Sequence, residues 1–292
     1  MTPEQRITAI EKLIADFEES VIGVEQDLAN RLIEAAAKLI ADPAQTMIVL
    51  SGWNNQWSAL IQELAQGLLA VSELNTEYFT AMSVKPAVVE EGKTVFLSAI
   101  GLTTTGYLIK QGYLSQILND TSTARKLISL VTDAKLRKLD AGQLTAIVSP
   151  AVQGKAKVPG ILTNLFNSLD TQPHVEADRV LQRAIAIRAN LKASLYLGGL
   201  IESSRPFCVE RNGKTFLDSE TEKFGTPRDT YGGYSDKSKG LFNGKPRTGY
   251  DPFTMCGGIR CRHHRSYINN AEALRRRSDL EEKNGVLRIK KQ

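Results

Sequence analysis

The sequence predicts a mainly α-helical chain, in which a helical body is followed by a small irregular α+β C-terminal module carrying a hairpin and a Cys/His cluster. Three observations predict it. Apolar residues recur at helical spacing through most of the chain before Arg205. From Arg205 to about residue 268 the texture changes to Gly, Pro, Asn, Asp and aromatic residues. All three cysteines (Cys208, Cys256, Cys261) and two of the three histidines (His263, His264) fall in that second region. The 292 residues are 42% hydrophobic and 24% charged, a balance that excludes a disordered or fibrous chain.

The first helix is announced by Thr2-Pro3-Glu4-Gln5, an N-cap followed by a proline at the first helical position and a capping-box Gln. Ile7, Ile10, Leu13, Ile14, Phe17 and Val21 then mark one face. Asp42-Pro43-Ala44-Gln45 ends that helix and caps a second by the same device. The second carries Trp53 and Trp57 one turn apart, which read as a packing face, with Leu60, Ile61 and Leu64 beyond. Helical patterns continue to about residue 140. Gly101, Gly106, Gly112 and Thr103-Thr104-Thr105 leave residues 95–115 open between helix and strand.

Ser149-Pro150, Gly154 and Val158-Pro159-Gly160 punctuate a connector over 148–160. A short amphipathic helix (Ile161, Leu162, Leu165, Phe166, Leu169) and a longer one from about Glu176 to Ser203 are expected next. Asn212-Gly213, between Phe207–Arg211 and Lys214–Leu217, reads as a two-residue hairpin turn. Asn243-Gly244 is a second turn signal. A last helix is expected over Asn270 to Lys283, with Val286 to Gln292 as a short strand or a loose tail. The expected division is a helical body (1–147), a connector with the long helix (148–204) and the turn-rich Cys/His module with its basic tail (205–292).

The formal charge of +5 is concentrated at one end. From Arg260 onward ten Lys or Arg stand against four Asp or Glu, so the preceding chain is close to neutral. Such a tail suits an anionic surface. Arg275, Arg276, Arg277, Arg288, Lys290 and Lys291 are the candidates for contact with nucleic acid or an acidic partner. The same residues equally fit a solvated face paired with Asp279, Glu281 and Glu282. Aromatic residues for stacking bases are sparse there, so any contact with DNA is expected to be non-specific. The N-terminus lacks the basic and apolar blocks of a secretion signal, and no apolar run is long enough to span a bilayer. Folding in the cytosol is therefore expected, with unbridged cysteines and no membrane partner.

Cys208, Cys256, Cys261 and His263 (or His264) supply the ligand types that tetrahedral zinc takes. Gly257-Gly258 would let the backbone turn tightly between the last two cysteines. The plainer alternative is that the cysteines are small buried side chains with a packing role. His263-His264 with Asn269 and Asn270 also suggests a metal-dependent nuclease, but a partner histidine is missing nearby. Serine-hydrolase elbows and phosphate loops are absent. The chain is read as not an enzyme.

Ser204-Arg205-Pro206-Phe207-Cys208 follows directly on a helical stretch and continues as Glu210-Arg211-Asn212-Gly213-Lys214-Thr215-Phe216. Some forty residues after Cys208 comes Asp251-Pro252-Phe253-Thr254-Met255-Cys256-Gly257-Gly258-Ile259-Arg260-Cys261-Arg262-His263. Together these resemble the C-terminal module of the phage head morphogenesis family, the Mu F-like minor head proteins. There a helix leads to an Arg-x-x-Cys element, and a Gly-rich Cys-Arg-His element closes the module. The likeness covers about 175–268. This chain has Cys208 alone where some members carry Cys-x-x-Cys, and its N-terminal helices match no motif.

The resemblance implies a structural minor head protein of a tailed bacteriophage, assembled in the host cytoplasm and carried in the virion. Its implied place is at the portal or inner capsid, with a part in head assembly or DNA ejection. It implies portal and other virion proteins as partners, copies of the same chain, and packaged DNA. It also implies that Cys208, Cys256, Cys261 and His263 form one compact cluster, and the ligand types make zinc its possible cofactor. The alternatives are a head-to-tail adaptor ring docking on the portal, and a zinc-containing nucleic-acid-binding or nuclease module.

Overall fold

The computed structural model describes residues 1–41, 44–118, 126, 129, 132–133, 136–155, 158–160 and 172–290. The chain is mainly α, about 53% helical, with small antiparallel sheets near the C-terminus. It gathers into two compact units. One comprises Met1–Leu13, Leu68–Ala99 and Gln172–Gln292; the other comprises Ile14–Gly67 and Ile100–Thr171. Among the described residues, no helix is long and apolar enough to cross a membrane.

Helix α1 (Pro3–Ala41) starts as its sequence dictates. The Gln5 backbone N–H donates to the Thr2 hydroxyl at 3.2 Å, and the Thr2 backbone N–H donates to the Gln5 side chain at 2.8 Å. Helices α2 (Ala44–Ala81) and α3 (Pro86–Ile100) follow. In the 14–67 and 100–171 unit, Phe17, Val21, Trp57, Leu60, Ile61 and Leu64 are buried. The Trp53 side chain, Asp42-Pro43 and the short helix expected over Ile161–Leu169 lie outside the described residues.

The ambiguous stretch after α3 resolves into a turn. Leu102 bridges Leu108, and Gly101 and Gly106 both take φ of +83°, which only glycine adopts readily. Helix α4 (Tyr113–Leu118) comes next. The connector expected from residue 148 is instead partly helix: α5 spans Ala141–Gln153 with Pro150 inside it. A capping box explains the start, with Asp140 and Gln143 satisfying each other's backbone N–H groups at 2.8 and 3.0 Å. Two short strands, β1 (Gly154–Lys155) and β2 (Val158–Pro159), pair beyond it.

In the other unit, helix α6 (Gln172–Arg188) ends well before Ser203. Asn190 adopts φ of +56°, and the Leu191 N–H donates back to the Ala186 carbonyl at 2.9 Å. That is a left-handed C-terminal stop. Residues expected to continue the helix form strand β3 (Ala193–Leu197), whose first four residues are all buried. The chain then passes through α7 (Pro206–Val209), β4 (Thr215–Leu217), α8 (Asp218–Thr221) and β5 (His264–Ile268).

Strand order is β4-β3-β5, antiparallel throughout, so β3 is central. The Asn212-Gly213 turn exists, with Gly213 at φ of +75°, but it does not join two arms of a local hairpin. Phe207 and Cys208 lie on helix α7, and β4 pairs with β3 in the register Ala193↔Leu217 and Leu195↔Thr215. Asn243-Gly244 also turns, with Gly244 at φ of +87°.

The last expected helix is shorter. Helix α9 covers Asn270–Arg276, and strands β6 (Leu280–Lys283) and β7 (Val286–Ile289) form a hairpin around Asn284-Gly285. Phe207, Phe216, Phe224, Phe242 and Tyr196 form one buried cluster with the three cysteines, and Tyr231, Tyr234 and Tyr250 pack on it. This aromatic core holds a long segment that has little regular structure of its own.

Candidate metal centre

Each ligand of the candidate centre is set by a different local device. Pro206 at the start of α7 fixes the turn that buries Cys208. The segment leading into β5 carries Cys256, Cys261 and His263. Gly258 lies at φ of +84°, and a Cβ there would stand 2.1 Å from the Gly244 carbonyl oxygen. At Gly257 a Cβ would lie 2.3 Å from the Cys208 sulfur and 3.0 Å from that of Cys261. Both glycines are therefore required where they are, as the sequence suggests.

Arg179, on α6 and buried, anchors the same segment from the other side. Its guanidinium donates to the carbonyls of His263 (2.7 Å), Thr254 (3.2 Å) and Cys261. Arg205 donates to the Gly257 carbonyl at 2.8 Å and to that of Ile259.

The result is a buried group of Cys208, Cys261 and His263 whose ligand atoms all lie within 4.8 Å of one another. The two sulfurs are 3.7 Å apart, and the Cys261 sulfur is 3.8 Å from His263 Nδ1. The Gly257 backbone N–H donates to the Cys261 sulfur at 3.2 Å. His263 Nε2 is buried and has no hydrogen-bond partner among the described residues. This group can hold a metal ion.

Cys256 joins the same apolar cluster, but its sulfur is not among the mutually close ligand atoms. Burial pushes its thiol up to about 11. The Cys208 and Cys261 thiols are hydrogen-bonded to each other. Hydrogen bonding to Cys208 draws the Cys261 thiol well below its ordinary value, and His263 and Arg179 add to this. The same hydrogen bond and burial drive Cys208 upward. The lowered thiol favours the thiolate at Cys261, the form that binds a cation.

His264 goes elsewhere. Its Nδ1 lies 2.8 Å from Asp178, which also pairs with Arg6 and accepts from Asn75 at 2.8 Å. All three of His264, Asp178 and Arg6 are fully buried. Burial alone would raise the Asp178 carboxyl, but the Arg6 charge and the His264 hydrogen bond outweigh it and bring it down to about 2. Asn269 caps α9, and Asn270 donates to Glu282 and to the Gly285 carbonyl. The histidines and asparagines of the nuclease alternative are thus separately engaged. The Arg6–Asp178–His264 network has no local signature, since its members are far apart in sequence.

The basic tail is laced to carboxylates. Arg275 pairs with Glu272 at 2.6 Å, and Arg276 pairs with Glu272 and with Glu4 at 3.0 Å. Arg277 pairs with Glu220 and, at 2.6 Å, with Asp279; Arg288 pairs with Glu281 at 2.7 Å. Lys290 donates to the Ser278 carbonyl at 2.6 Å. Lys291 lies outside the described residues. No protein-family model, curated protein or solved structure matches the chain.

Proposed function

We propose that this chain is a structural minor head protein of a tailed bacteriophage, associated with the portal or inner capsid. In this reading its C-terminal module is knitted together by a zinc ion on Cys208, Cys261 and His263. The observation that carries the reading is the meeting of two motif elements far apart in sequence. Cys208, from Arg-x-x-Cys, lies against Cys261 and His263, from the Gly-rich Cys-Arg-His segment. Zinc is the metal of choice because thiolate and imidazole ligands together in a buried setting favour it. The chain's own residues do the rest: Arg179 and Arg205 pin the ligand-bearing backbone, and Gly257 leaves room beside the sulfurs. The role is assembly and not catalysis, with the exposed basic residues free to exchange their carboxylate partners for a neighbouring virion protein or packaged DNA.

The test is the protein's place in the particle. Purified virions should contain the chain at low copy number, and density at the portal vertex should accept its fold. A fixed symmetric ring of copies would instead indicate a head-to-tail adaptor, and absence from virions would end the reading.

A further inference from the structure

Three vertices of a tetrahedron are accounted for by Cys208, Cys261 and His263. A zinc with sulfurs at about 2.3 Å and nitrogen at about 2.0 Å holds the sulfurs about 3.8 Å apart and each sulfur about 3.5 Å from the nitrogen. The spacings here are 3.7 Å between sulfurs and 3.8 Å from the Cys261 sulfur to the nitrogen. These two edges are close to those of the bound ion, and all the ligand atoms of the group lie within 4.8 Å of one another. The fourth vertex is the open question, because the Cys256 sulfur stands outside the group.

Tyr196 answers it. It lies on the central strand β3, fully buried, with its ring 5.1 Å from that of His263. Its hydroxyl is 3.5 Å from the Cys208 sulfur and 3.8 Å from the Cys261 sulfur. An oxygen bound to the same zinc at about 2.0 Å would stand about 3.5 Å from each sulfur. A buried phenol ordinarily finds a strong oxygen or nitrogen partner; this one has only sulfur, donating to Cys208 and facing Cys261. Tyr196, Cys208, Cys261 and His263 are all buried, so the phenol oxygen is a protein ligand already in place beside the sulfurs.

We infer that the Tyr196 oxygen is the fourth ligand, closing a site of two sulfurs, one nitrogen and one oxygen; this rests on the metal reading above. On binding, the two thiol protons and the phenol proton leave to solvent, and three anionic ligands surround a divalent cation. The remaining negative charge faces the buried Arg179, which donates to the carbonyls of both Cys261 and His263. Such a closed site is structural, with no exchangeable position for substrate.

The experiment is titration of the metal-free full chain with zinc and with cobalt(II), comparing the wild type with Tyr196→Phe and Cys256→Ser. The expected result is a tyrosinate difference absorption that grows with zinc in the wild type and in Cys256→Ser. Tyr196→Phe should show no such signal, an altered cobalt spectrum and roughly tenfold or greater loss of affinity. Should Tyr196→Phe fail to fold, the wild-type tyrosinate signal decides alone. Stoichiometric binding by the wild type without that signal overturns the inference and leaves the metal site standing, as does loss of binding in Cys256→Ser with Tyr196→Phe unaffected. A wild type that binds neither metal overturns the metal reading itself.

Discussion

His263 and His264 are adjacent in the chain and opposite in their surroundings. Side chains alternate along the edge of β5, so one imidazole faces Cys261 and Tyr196 and the other faces Asp178. The second environment carries its own counter-charge. Asp178 balances Arg6, Asn75 and Gln182 extend the network, and Ser266 accepts from Arg6 at 2.6 Å, while Arg6 Nε and His264 Nε2 find no hydrogen-bond partner among the described residues. The first has no carboxylate in it; its sulfurs, imidazole and phenol meet at 3.5–3.8 Å, the range of hydrogen bonds to sulfur. Two buried polar clusters thus differ in make-up: a carboxylate with its own counter-charge in one, and in the other a thiol and imidazole group that could hold a metal ion.

The largest effect should come from breaking the charged network around Asp178. Asp178→Ala leaves Arg6 and His264 buried without their carboxylate and should cost about 3–5 kcal/mol in denaturant unfolding. A loss below about 1 kcal/mol would mean that the network is not held by charge.

Acid should reach the same place. A carboxyl whose folded pKa lies near 2, below its ordinary 3.8, contributes stability that is complete above pH 4 and lost as the pH falls toward 2. The expected loss is on the order of 2 kcal/mol. His174, which burial holds at about 4 against an ordinary 6.5, adds a separate loss between those two values. Melting a His174→Gln background from pH 5 to pH 2 removes the imidazole's share and leaves Asp178 with the carboxylates that arginines hold down nearer the surface, Glu272 foremost. A flat curve there would contradict the Asp178 assignment.

Gly257→Ala sharpens the other side of the comparison. The added methyl collides with the Cys208 sulfur, so the variant should lose bound metal and about 1–3 kcal/mol while leaving the Asp178 network intact. Hydrogen exchange should show loosening of residues 205–262 but not of α6. Uniform loosening would show that the two clusters are one cooperative element.

The smallest effect belongs to the exposed tail. Arg275→Ala removes an ion pair open to solvent and should leave the unfolding midpoint where it was. DNA retention by the chain, if the tail supplies it, should fall steeply with salt; a flat response points to a protein partner.

Much of this was legible in the chain, and the failures have physical causes. The Thr2–Gln5 capping box, the long first helices and the tight glycine turn beside Cys261 follow from local chemistry, which sequence displays directly. Strand β3 has no distinct signature because Leu191 and Leu195 also satisfy helical spacing; the stop at Asn190 is the signal that separates the two. That ambiguity hides Tyr196, which a helical reading leaves without a place near the cysteines. The hairpin at Asn212-Gly213 was misplaced because a turn dipeptide fixes the turn and not which strand will pair. A true hairpin of the same kind lies at Asn284-Gly285. The Arg6–Asp178–His264 network joins distant segments, and no periodicity announces such a meeting.

The most direct test of the account is the metal content of the full chain, purified without added metal. The prediction is about one zinc per chain, lost in Cys261→Ser, with chelation releasing residues 205–262 from protection. A metal-free protein whose C-terminal module is folded and unmoved by chelator would contradict it.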